Sequence, residues 1–240
     1  MIITAHQSVY LPWLGLFHKI ALADCYVFLD SVQYLKKDWN NRNKIKTSQG
    51  WSYLTVPVYS KNKFSQILSD VKINNNINWS NKHWKSIKLL YKKTPYFDKY
   101  APFFEELYSK KWDFLNDLNR EIMIFILKEL GITTKWIEGS TLNLKGTKTD
   151  LVIDICKKLN ADIYIFGALG RNYAEKDKFD RENIKIIFQD YNHPIYQQRF
   201  KDFEPYMSVI DLMFNHGKEA YNIIMEGNLS RKDLEEMVNQ

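Results

Sequence analysis

Residues able to do proton, phosphate or carbonyl chemistry gather at three places in this chain of 240 residues. The first is His6-Gln7, followed by Trp13. An imidazole titrates near neutrality and can take a proton from an attacking amine or hydroxyl. His6 is therefore the candidate base; the alternative is a histidine that only hydrogen-bonds its own loop. The second place is Asp30 with Gln33, followed at longer range by Arg42, Asn43 and Lys46. A carboxylate can orient a histidine or anchor an ammonium, and a guanidinium fork grips phosphate where a lysine offers a point charge. The third is Gly167-Ala-Leu-Gly170-Arg171-Asn-Tyr173. Glycines let backbone N–H groups approach a ligand oxygen and Arg171 adds charge, so an anion loop is expected there. The pattern is neither Gly-x-Gly-x-x-Gly nor a P-loop, and a tight turn with a surface arginine is the alternative. His193, pushed toward extended geometry by Pro194, either lines the site or ends a strand. His18 and His83 read as packing residues and His216 as a helix C-terminal histidine. No pair of histidines or carboxylates has a metal-ligand spacing, so no metal is expected. Cys25 and Cys156 sit at apolar positions and read as core.

These residues need strands and helices to bring them together. Ile2–Ala5 reads as a strand, His6–Trp13 as a loop, Leu14–Ala23 as a helix and Cys25–Leu29 as a second strand, a βαβ opening that predicts a parallel sheet. Residues 38–58 read as a hairpin with polar groups at its start. From 79 to 130 the apolar spacing is helical, predicting an insertion of about three helices ended by Gly131. Strands at 133–137, 161–166 and 184–189, a helix at 148–159 and C-terminal helices at about 208–238 complete the expectation. The class is α/β, a single Rossmann-like domain with a mostly parallel sheet and a helical insertion. Ligands of open α/β sheets bind beyond the carboxyl ends of the strands. All three clusters follow strands, so His6, Asp30, Arg42 and Arg171 are expected to line one cavity, with the insertion as one wall.

Composition narrows the classes. Hydrophobic residues make up 45% and charged residues 26%, which is globular rather than disordered. The longest uncharged apolar stretch, Ile122–Leu127, is far below the roughly 18 residues of a membrane span. Two cysteines supply no disulfide framework, and Met1–His6 lacks a signal-peptide pattern, so a cytoplasmic location is expected. The formal charge of +6 comes from scattered lysines, not a basic tail, and nucleic acid is not the expected partner.

His6-Gln-Ser-Val-Tyr-Leu-Pro-Trp-Leu-Gly-Leu-Phe-His-Lys-Ile resembles the opening of the WbqC-like protein family. Asp30-Ser-Val-Gln-Tyr, Arg42-Asn-Lys-Ile-Lys, Leu54-Thr-Val-Pro-Val, His83-Trp-Lys-Ser-Ile, Lys148-Thr-Asp, Gly167-Ala-Leu-Gly-Arg-Asn-Tyr and Met207-Ser-Val-Ile-Asp-Leu-Met-Phe-Asn-His-Gly extend the resemblance in order over nearly the whole chain. The resemblance implies a role in bacterial surface polysaccharides such as O-antigen, with acylation or aminoacylation of a nucleotide-linked amino sugar as the expected chemistry. On that expectation His6 is the base and Asp30 its orienter or the ammonium anchor. Gly170 N–H and Arg171 face the oxyanion, Arg42 and Lys46 hold the phosphates, and Trp13 stacks on a base or sugar. Gln7, Asn43, Gly167, Tyr173 and His193 contribute further contacts. The cosubstrate is an acyl thioester or other activated acyl donor, with no bound cofactor, and an acyl carrier protein is a candidate partner. A remoter resemblance in layout is to nucleotidyltransferases with a His-x-Gly-His motif, which implies ATP-dependent transfer or ligation; the nearest alignment, Trp13-Leu-Gly15-Leu16, lacks both histidines. A non-catalytic RNA- or glycan-binding protein is the third expectation.

Overall fold

A computed structural model describes residues 1–63 and 65–239. Strand β1 is Ile2–Gln7, helix α1 is Leu14–Ala21 and strand β2 is Cys25–Leu29. Every residue of β2 is buried, as expected of a parallel strand covered on both faces. Strands β3 (Arg42–Thr47) and β4 (Gly50–Thr55) form a separate antiparallel hairpin. Three helices follow: α2 (Trp79–Tyr91), α3 (Phe97–Ser109) and α4 (Leu115–Leu130). Gly131 ends α4 at φ +70°, a conformation that costs a glycine little. The chain then forms β5 (Lys135–Glu138), α5 (Lys148–Leu159), β6 (Ile163–Phe166), α6 (Lys176–Arg181) and β7 (Lys185–Phe188). Helices α7 (Val209–His216), α8 (Ala220–Met225) and α9 (Arg231–Asn239) complete it.

The main sheet has the order β5-β2-β1-β6-β7 with every pair parallel. The chain starts at the centre, winds outward through β2 and β5, and returns to β6 and β7 on the other side. This is the Rossmann-like α/β architecture expected from the sequence, and its winding reverses between β1 and β6. Alternation along β2 divides the interior. Tyr26 and Phe28 face a core shared with α1, α2, α3, α4, the hairpin and α7, whereas Cys25, Val27 and Leu29 face a core shared with α5. The helical stretch 79–130 therefore packs against one face of the sheet.

Two local departures matter for the site. β1 continues through His6 and Gln7, which pair with Phe28 and Leu29, so both are strand residues. After β6 the chain coils into a 3₁₀ turn over Ala168–Asn172 instead of an open loop. The short α6 behind it presents one buried apolar residue, Phe179, too few for a helical period to show.

Candidate functional site

A cleft of about 220 Å³ opens at the carboxyl end of β1, lined by His6, Val9, Pro12, Trp13, Trp39, Asn43 and Tyr206. A polar cleft of about 340 Å³, beside Asp24 and Thr134, lies at the amino ends of β2 and β5. Ligands of parallel sheets bind at the carboxyl edge, which selects the first despite its smaller size.

Three segments meet to form it, and side-chain amides hold them. Tyr10 N–H donates to the Trp39 carbonyl (3.2 Å). Asn40 Nδ2 donates to the Ser8 carbonyl (2.8 Å), and Asn119 Nδ2 on α4 donates to Ser8 Oγ and the Asn40 carbonyl (both 2.9 Å). Asn43 Nδ2 donates to the carbonyl of Leu11 (2.6 Å), a buried residue held at φ +46° just before Pro12. Asn40, Asn41 and Asn43 thus form a buried scaffold that satisfies irregular backbone, as such backbone requires. The third segment carries Tyr206, also left-handed at φ +60°. Ser208 N–H donates to the Lys44 carbonyl (2.9 Å) and Val209 N–H to the Pro12 carbonyl (2.8 Å), which fix this segment between the hairpin and the Trp13 loop. Trp13 stands edge-on to Tyr191 (5.4 Å between ring centroids) and covers Gly15, where a Cβ would lie 2.3 Å from the indole.

His6 is half-buried at the base of this wall. Its Nδ1 donates to the Gln7 carbonyl (2.9 Å), and since a carbonyl only accepts, Nε2 carries the lone pair. Burial, then the charge of Lys19, lower its pKa to about 4, so the ring is neutral at pH 7. Lys19 of α1 is itself buried, with Nζ donating to the Ala5 carbonyl (3.1 Å), and burial brings its pKa down to about 7.

Of the residues the sequence singled out, His6, Trp13 and Asn43 line the cleft, and Gln7 stands behind it, its Oε1 accepting from Asn40 Nδ2 (3.3 Å). The expected common cavity of His6, Asp30, Arg42 and Arg171 does not form, and no residue of 79–130 lines the cleft. Asp30 is buried at the end of β2, where its two oxygens accept from Ser140 N–H (2.7 Å) and Ser140 Oγ (2.6 Å), clamping β2 to the chain after β5. Arg42 donates to the Lys37 carbonyl and lies over Tyr53 at 4.7 Å. Lys46 is buried and donates to the carbonyls of Lys201 and Asp202. Gly170 packs on Phe166, where a Cβ would meet the side chain at 2.6 Å, and its N–H donates to the Gly167 carbonyl (2.9 Å), leaving no open anion loop. Exposed Arg171 pairs with Asp190 (2.8 Å) over Phe188. Tyr173 stands edge-on to Phe166, and its carbonyl accepts from Thr149 Oγ1 (2.8 Å). His193 uses both nitrogens: Nδ1 donates to the Pro194 carbonyl (2.8 Å) and Nε2 accepts from Tyr206 N–H (3.1 Å). It touches the cleft only by fixing Tyr206.

Sequence reading missed Trp39, Tyr206 and Lys19. It also missed Asp211, a fully buried carboxylate on α7 that accepts from Tyr91, Tyr196 and Gln198 (each 2.9 Å). Burial raises its pKa, and those three donors oppose the rise. Among the described residues no cluster of three or more His, Cys, Asp or Glu is placed to hold a metal ion. No helix among them is long and apolar enough to cross a membrane.

The fold and cleft define a Rossmann-like α/β protein with an aromatic-lined cleft at the carboxyl end of its central strand. The chain belongs to the WbqC-like protein family, whose profile matches residues 7–223. It is 35% identical over 216 residues to an uncharacterized protein of Mycobacterium tuberculosis, Rv1507c, a match covering 89% of this chain and 93% of that protein. No solved structure matches it.

Proposed function

We propose that the chain is a transferase of bacterial surface-polysaccharide biosynthesis, of the O-antigen type, that N-acylates a nucleotide-linked amino sugar with an acyl or aminoacyl group. The observation that carries this reading is His6: a neutral imidazole with its lone pair on Nε2, at the base of a ring-lined cleft beyond the central strand. Typical ligand sites enclose about 300–1,000 Å³, so a cleft of about 220 Å³ takes one ring, with the rest of the ligand outside.

In the reaction the neutral sugar amine attacks the carbonyl carbon of an activated acyl donor such as a thioester. The C–N bond forms and the carbonyl electron pair moves to oxygen. His6 Nε2 takes the proton from the now cationic nitrogen. That nitrogen is far more acidic than the parent ammonium, so a weak base suffices. The oxyanion collapses, the thiolate leaves, and the imidazolium returns the proton to it. No enzyme nucleophile is required, and burial pushes the thiols of Cys25 and Cys156 up, the latter to about 12. His6→Ala should lower turnover by about 10²–10⁴-fold with nucleotide affinity unchanged. Full turnover by the variant at every pH would remove His6 from the chemistry.

A second reading, a glycan- or RNA-binding protein without catalysis, is favoured by the hairpin face, where Lys44 lies 4.2 Å over Trp51 and Arg42 lies over Tyr53. If Trp51→Ala abolishes binding of an oligonucleotide or oligosaccharide while no acyl transfer is detected with any nucleotide sugar, this second reading replaces the first.

A further inference from the structure

We propose that the Lys19 ammonium is the phosphate-binding element of this site, standing without a counter-ion in the gap between the carboxyl ends of β1 and β6 so that a ligand phosphoryl group supplies one. The position follows from main-chain alternation. On the β6 side, the Met1 carbonyl accepts from Asp162 N–H (3.1 Å). On the β2 side, the Ile2 carbonyl accepts from Asp24 N–H (2.8 Å) and Ser8 N–H donates to the Leu29 carbonyl (3.2 Å). Odd-numbered residues of β1 therefore direct their carbonyls toward β6. The β1–β6 register runs from Ile2–Ile163 to Thr4–Ile165. The next carbonyl on that side, Ala5, accepts from Lys19 Nζ. The ammonium thus stands where the two strands part, the point at which open α/β sheets admit ligands.

Its surroundings are those of a group awaiting a partner. Lys19 is 4% exposed, yet no carboxylate among the described residues pairs with it, and one carbonyl accepts from its three N–H donors. A buried charge normally has a paired or hydrogen-bonded partner set. Lys46 shows how this chain buries a structural lysine: two carbonyls accept from it and the Asp211 carboxylate lies within electrostatic reach. Lys19 does not line the aromatic cleft itself but stands behind it, bonded to the carbonyl of Ala5, the residue before His6, and its charge acts on the His6 ring. Trp13, Trp39 and Tyr206 take a flat ring, and Lys19 offers charge to a phosphate attached to it. Arg42 and Lys46, the other cations considered for that task, are engaged by main-chain carbonyls. The choice of phosphoryl over other oxyanions rests on the proposed nucleotide-sugar reading; the anion site itself does not.

The test is calorimetric titration of the full chain with inorganic pyrophosphate and with UDP. Wild type is compared with Lys19→Met and with Lys232→Met, the same change at an exposed lysine. Wild type should bind both ligands, Lys19→Met should weaken both by at least about tenfold, and Lys232→Met should change neither. Unchanged affinity in Lys19→Met, or no binding by wild type, overturns the inference. Binding of glycine or acetate but of neither phosphate compound overturns the phosphoryl assignment. If Lys19→Met does not fold, NMR titration of the His6 ring in wild type decides. A phosphoryl group on Lys19 cancels the charge that disfavours the imidazolium, so the His6 pKa should rise on saturation with pyrophosphate, and a fixed value overturns the inference. The acyl donor is absent throughout. A chain that binds phosphate through Lys19 but acylates no amino sugar would refute the proposed reaction and leave this site standing.

Discussion

Acid should loosen the joint between α2 and the segments that carry the cleft. His83 on α2 is buried against Trp79 and Tyr10. One ring nitrogen donates to the Thr55 main chain, and Nδ1 accepts the Tyr10 hydroxyl (2.8 Å), which itself contacts the Tyr108 hydroxyl. Burial lowers the His83 pKa from 6.5 to about 4. The unfolded chain thus binds this proton more readily than the folded one, and stability is lost as pH falls from about 6.5 to about 4. At about 1.4 kcal/mol per pH unit the full loss is about 3 kcal/mol, most of which, about 2 kcal/mol, falls between pH 7 and pH 4.5. A domain stable by about 5–15 kcal/mol would register that plainly. Urea unfolding at pH 7, 5.5 and 4.5 measures it in wild type and in His83→Gln, which keeps a donor and an acceptor but does not titrate. His6, with a similarly lowered pKa, contributes with the same sign in both chains and cancels in the difference. Identical pH slopes for the two proteins, or a His83 ring that titrates near 6.5 by NMR, would refute the reasoning.

Asp30→Ala should cost about 3–5 kcal/mol in denaturant unfolding, because two charge-assisted hydrogen bonds from Ser140 are lost; a stable Asp30→Ala protein without turnover would return Asp30 to the chemistry. Gly15→Ala should weaken ligand binding by about tenfold and shift tryptophan fluorescence, since the new Cβ displaces the Trp13 ring that walls the cleft; unaltered affinity would show that the ring position is unimportant. Arg171→Ala should change stability by less than about 0.5 kcal/mol and leave ligand affinity intact, because its ion pair with Asp190 is solvent-exposed; a large affinity loss in the same calorimetric titration would bring the 167–173 turn back into the site.

How far the sequence reveals this molecule depends on how local the determining contacts are. The strands, α1 and α5 were legible because each carries its own apolar pattern, and the winding followed from their alternation. His6, Trp13 and Asn43 were legible as site residues because they end or follow β1 or open the hairpin. Lys19 was hidden by its helix. The stripe Leu14, Phe17, Ala21 places it toward solvent, but its ammonium reaches the Ala5 carbonyl at the end of β1, and every residue from Leu14 to Ile20 is buried. Trp39 and Tyr206 reach the cleft from irregular segments whose course is set by distant partners: Tyr10 and Ser8 for one, His193 and Lys44 for the other. Asp30, Arg42 and Arg171 carried the expected chemistry at the expected strand ends. Whether such a group meets a ligand or the protein's own backbone is decided by tertiary contacts that no spacing records.

The centre of the main sheet also sets an order of assembly. β1 lies within the first ten residues, yet its neighbour β6 begins at Ile163, and the Thr4 hydroxyl that donates to the Ile165 carbonyl closes a loop of 161 residues. At about 5–20 residues per second on the ribosome, β1 waits roughly 8–30 s for that partner. Until then the β6-facing side of β1 is an open edge, the kind of surface through which nascent chains aggregate. The gap that houses Lys19 has only one wall during this interval. Phosphate binding at Lys19, as proposed, would therefore require both halves of the sheet.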